Sequence, residues 1–67
     1  MTKREAARVA RQLYGRQAFV YNADSPFHYV CDGSKTAGGH FCVVGMGLSW
    51  GDAIKYARLN KKLKNAQ

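Results

Sequence analysis

Phe27-His-Tyr-Val-Cys-Asp-Gly-Ser-Lys-Thr-Ala-Gly-Gly-His-Phe-Cys-Val-Val44 is the stretch on which the fold turns. Two runs of β-branched and aromatic residues flank a segment of Gly, Ser, Lys, Thr and Ala, which is the composition of a β-hairpin with a long turn. Gly33, Gly38 and Gly39 can supply the positive backbone angles that such a turn needs. The spacing predicts strands over about 27–32 and 40–46, a tip from Gly33 to Gly39, and an end to the second strand at Gly45-Met-Gly47.

Working outward, Arg16-Gln-Ala-Phe-Val-Tyr-Asn22 reads as an earlier strand over 16–22. It is joined to the hairpin by Asn22-Ala-Asp-Ser-Pro26, where Pro26 precedes a strand and costs no ladder hydrogen bond. Residues 2–14 carry an amphipathic helix with Ala6, Val9, Ala10 and Leu13 on its apolar face. Thr2 with Glu5 forms a capping-box pattern, and Gly15 is the helix stop. The small alanines suit close packing on a sheet. Ser49 begins a second helix as N-cap, with Asp52 three residues on. Trp50, Ala53, Tyr56, Ala57 and Leu63 share one broad face, flanked by Ile54 and Leu59, and the basic tail over 61–67 is expected to fray. The expected fold is a single α+β domain over 1–67, αβββα, with a three-stranded antiparallel sheet and both helices on one face.

That architecture leaves the second sheet face open. Each strand carries apolar residues in both alternating sets: Phe19 and Tyr21 against Ala18 and Val20; Phe27, Tyr29 and Cys31 against His28 and Val30; Phe41 and Val43 against Cys42, Val44 and Met46. One set must cover the helices, so the other is exposed or covered by a partner, either a second copy in a homodimer or a target protein.

At 67 residues the core is small, and the composition is globular, with 46% hydrophobic and 22% charged residues. Eleven Lys and Arg against four Asp and Glu give a formal charge of +7, a field that favours phosphate-bearing or acidic partners. The charged N-terminal stretch does not resemble a signal peptide, and no apolar run is long enough to span a membrane. Two cysteines without a secretion signal read as thiols in a reducing compartment, so a cytoplasmic location is expected.

His28, His40, Cys31 and Cys42 are legitimate zinc ligands, but no pair has C-x2-C or H-x3-H spacing, and strand alternation sends His28 and Cys31 to opposite faces. No metal or cofactor is expected. Whether Cys31 faces Cys42 depends on the hairpin register, because a one-residue shift separates them. Asp32, His40 and Ser34 or Cys42 form an imaginable catalytic set across the hairpin, the basis of a weak nuclease reading. Such sets at strand ends are usually structural, and no enzyme is expected. Gly33-Ser-Lys-Thr36 lacks phosphate-loop spacing and opens no helix. As a basic glycine-rich finger, with Lys35 at its centre, it remains a candidate contact for nucleic acid.

The basic stripes carry the most weight. Arg4, Arg8 and Arg11 on the first helix and Lys55, Arg58 and Lys62 on the second each lie opposite an apolar face. Stripes of this kind bridge backbone phosphates without reading sequence, although the solvent face of any helix in a basic protein is rich in Lys and Arg. The passage Gly45-Met-Gly-Leu-Ser49 leading into Trp50-Gly-Asp-Ala53 and Ala57, set in an αβββα order, resembles the end of a double-stranded RNA-binding domain. In that family paired lysines follow the Ser and hold phosphates across the groove. Trp50 and Gly51 stand there in this chain, and Asp24-Ser-Pro26 replaces the family's Gly-Pro-x-His turn. The resemblance therefore implies the fold and not the RNA-binding function. In size and charge the chain is also similar in style to small phage and mobile-element accessory proteins, some of which inhibit host defences in the anti-CRISPR manner. The leading expectation is a non-enzymatic module that binds nucleic acid or a nucleoprotein complex. The alternative is a phage-encoded inhibitor of a host protein, acting through the sheet face or the hairpin tip.

Overall fold

The computed structural model describes residues 1–22 and 25–65. Within them the chain runs α1 (Lys3–Tyr14), β1 (Phe19–Tyr21), β2 (His28–Lys35), β3 (Phe41–Gly47) and α2 (Trp50–Asn65). The strands form one antiparallel sheet in the order β1-β2-β3. Both helices pack on one face of it and on each other, as the α+β reading requires.

Local chemistry sets the helix ends. The Thr2 hydroxyl accepts from the Glu5 N–H at 3.2 Å, and the Glu5 carboxylate accepts from the Thr2 N–H at 2.9 Å, so two N–H groups at the start of α1 are satisfied reciprocally. Gly15, at φ +103°, ends α1 with its N–H on the Arg11 carbonyl. Ser49 caps α2, its hydroxyl accepting from the Asp52 N–H at 3.1 Å. Two long-range bonds tie the helices together. The Tyr14 hydroxyl donates to the Ala57 carbonyl at 2.6 Å, and the Lys61 ammonium donates to the Leu13 carbonyl while lying 5.4 Å from the centre of the Tyr14 ring.

The core between sheet and helices is made of small residues: Ala6, Ala10, Ala18, Val20, Val30, Ala53, Ile54 and Ala57. Close approach is the reason. A Cβ on Gly45 would stand 2.3 Å from the Ala53 carbonyl oxygen and 2.9 Å from the Ala57 Cβ, so α2 lies almost on the backbone of β3. Gly47 is crowded in the same way by Asp52. These glycines lie inside β3, where their role is to admit the helix.

Several boundaries differ from the sequence reading. β1 is confined to Phe19–Tyr21, because the Ala18 N–H turns back to the Gly15 carbonyl and takes 16–18 out of the ladder. β2 continues through Asp32, Gly33 and Ser34 to Lys35, which shortens the tip to Thr36–His40, closed by the Thr36 N–H on the His40 carbonyl at 2.7 Å. Gly33 is needed inside β2, since at φ +90° its missing Cβ would meet Gln17 at 2.4 Å. α2 carries the helix through 61–65 of the tail expected to fray. Ala23 and Asp24 of the first turn, and Ala66 and Gln67 at the end, lie outside the described residues.

Candidate functional site

The sheet register defines the two faces. Val20 pairs with Val30 and Val30 with Gly45 on the helix side, while Phe19 pairs with Cys31 and Cys31 with Val43 on the outer side. The jump from Gly45 to Val43 leaves Val44 as an extra residue. This bulge reverses the alternation beyond it, so Met46 pairs with Tyr29 and joins the outer face, contrary to its expected grouping with Cys42 and Val44. Cys42 is one position out of register with Cys31, and both thiols are free.

The outer face is an aromatic cluster. Tyr21 stacks on Tyr29 with centroids 4.8 Å apart, Phe41 meets Phe19 edge-on at 4.8 Å, and Phe27 lies 6.5 Å from Tyr29. Beneath it Cys31 is fully buried outside the helix-side core, and burial pushes its thiol pKa up, with Asp32 and Cys42 adding to the shift. The cluster does not hide itself. Phe27, Phe41, Val43 and Met46 are 39–47% exposed, and the Lys35 ammonium lies 4.9 Å from the centre of the Phe41 ring at one end.

The six helix cations are placed on the other layer. Arg4, Arg8 and Arg11 are exposed on α1, and Lys55, Arg58 and Lys62 are exposed on α2. Lys35, the seventh candidate, stands apart from them on the outer sheet face. On α2 the three cations share an open groove of about 540 Å³ with Ile54, Leu59, Gly51 and Met1; none of the α1 arginines lines it. Two of the acidic groups, Glu5 and Asp32, make local hydrogen bonds. Glu5 completes the cap of α1, and the Thr2 backbone and side-chain bonds hold its carboxyl below the usual range. Asp32 accepts from both the Ser34 N–H and the Ser34 hydroxyl, at 2.9 and 2.7 Å.

That pairing also explains the hairpin's polar residues. Ser34 is bonded to Asp32 in a local turn, and His40 lies in the Thr36–His40 tip with its N–H on the Thr36 hydroxyl. His28 is on the helix side of the sheet, edge-on to Trp50 at 4.6 Å, and its buried Nδ1 has no hydrogen-bond partner among the described residues. Among the described residues no group of three or more His, Cys, Asp or Glu could hold a metal ion. No helix among them is long and apolar enough to cross a membrane.

The sequence reading missed the exposure of α2's large apolar residues. Tyr56, Leu59 and Leu63, expected to help cover the sheet, are 48–59% exposed. No local signal in the sequence gives it, because it follows from the tertiary approach of Ala53 and Ala57 to Gly45: a contact between small residues brings backbones together and leaves no space for larger side chains. Comparison with protein-family models, curated proteins and solved structures finds no match for this chain.

Proposed function

We propose that this chain is a small non-enzymatic binding module whose exposed basic face on α1 engages nucleic acid, alone or within a nucleoprotein complex. The observation that supports it is the α1 stripe: Arg4, Arg8 and Arg11 are exposed on a helix that carries one acidic residue, Glu5. With a formal charge of +7, the chain carries the field that draws polyanions to this surface. Three phosphate contacts would give duplex binding that weakens roughly 40-fold between 50 and 200 mM salt. Arg8→Glu should weaken binding and lower the salt slope by about one. Fluorescence anisotropy with a labelled duplex measures both, and absence of binding at low salt sinks the reading.

A second reading is favoured by the outer sheet face. Exposed aromatic and aliphatic side chains on an open sheet are the anatomy of a protein-docking surface. In this reading the face takes a host protein that the chain inhibits, or a second copy of the chain.

A further inference from the structure

We propose that the groove along α2 binds an acidic, apolar segment of a protein partner, distinct from the phosphate contacts assigned to α1. Its apolar lining is Leu59 and Met1 over the buried Ile54, and its cations are Lys55, Arg58 and Lys62. A nucleic-acid backbone would use the cations and leave the apolar lining wet. The lining offers real apolar area, since Leu59 is 48% exposed, and covering it with an apolar anchor removes that area from water.

The occupant follows from charge and spacing. Among the described residues three cations and no carboxylate line the groove, so an anionic ligand is complementary to it. The cations fall at positions i, i+3 and i+7 of one helix, so they span roughly 10 Å at 1.5 Å per residue. That is too long for a single carboxylate headgroup. It matches two turns of a facing helix that carries several carboxylates beside a leucine or phenylalanine anchor, the helix-in-groove mode of recognition. The volume of about 540 Å³ holds such an anchor. Among the described residues α1 carries no exposed large hydrophobic side chain to match this lining. Lys61, beside Lys62 on the same helix, is directed elsewhere: its ammonium donates to the Leu13 carbonyl.

The test uses two synthetic helical peptides of equal negative charge, one alternating Glu with Leu in an amphipathic pattern and one with Ser in place of Leu. Each is titrated into the labelled full chain while the Ile54 and Leu59 methyl resonances are followed. The Glu/Leu peptide should shift these methyls and bind at least about tenfold tighter than the Glu/Ser peptide, and Leu59→Ser should remove that advantage. Arg58→Glu should weaken both peptides. Leu48→Ser, at another exposed leucine, should change neither, and melting curves confirm that the variants fold. Equal binding of the two peptides, or no effect of Leu59→Ser, overturns the proposal. So does a duplex oligonucleotide that shifts the same methyls and displaces the Glu/Leu peptide. A duplex that binds without touching them leaves the α1 reading intact, and a duplex that fails to bind overturns that reading alone.

Discussion

A methyl group at position 45 would stand 2.3 Å from the Ala53 carbonyl oxygen, a backbone atom that cannot move without moving α2. Gly45→Ala should therefore cost about 3 kcal/mol, the upper end of the range for overpacking a tight contact. Gly39 provides the control. Its φ is +83°, but nothing lies within 4 Å of its missing Cβ, so Gly39→Ala should cost only the backbone term of about 1 kcal/mol. Denaturant unfolding of the two variants separates the effects, and equal losses would mean that close approach is not what position 45 requires. The sequence showed the residues that act on near neighbours, Thr2, Gly15 and Ser49, because their partners lie within four positions. It could not show Gly45 as a contact, because the partner residues sit on another element.

At the scale of elements, the cap of α1 predicts a pH dependence. Hydrogen bonds from Thr2 lower the Glu5 pKa in the folded chain. A carboxylate depressed by folding stabilises the fold above its unfolded pKa, and that contribution fades as pH falls through the folded value. Glu5→Ala should thus lower the melting temperature at pH 7 and leave it nearly unchanged at pH 2, where both proteins lack the carboxylate. A deficit that persists undiminished in acid would show that Glu5 acts through something other than its charge. Helices and strand order were legible from hydrophobic periodicity and turn residues. The extent of β2 was not: Asp32-Gly-Ser reads locally as a turn, and only the segment at Gln17 packing over Gly33 shows why a glycine with φ +90° is needed within the strand.

At the scale of the molecule, small residues fill the core and large ones cover the outside. Among the described residues the largest fully buried side chains are Val30 and Cys31, while Phe41, Met46, Tyr56 and Leu63 are close to half exposed or more. Such a surface should bind an apolar dye such as ANS in the native state. Phe41→Ser combined with Met46→Ser should lower the fluorescence while the fold is retained, since both side chains are already 46–47% exposed. A native protein that leaves the dye dark would remove the case for a docking face.

The sequence by itself determined the αβββα order, the capped helices, the alternation that gives the sheet two apolar faces, and the charge. Each of these depends on residue type and local spacing. Only the tertiary structure decided which apolar groups are buried. Alanines opposite Gly45 and Gly47 let α2 approach so closely that Leu59 and Tyr56 are pushed to the margin, and a single bulge at Val44 turns Met46 outward. The opening stretch therefore supplies both faces of the sheet, and the contact distance between α2 and β3 determines how α2 covers the inner one.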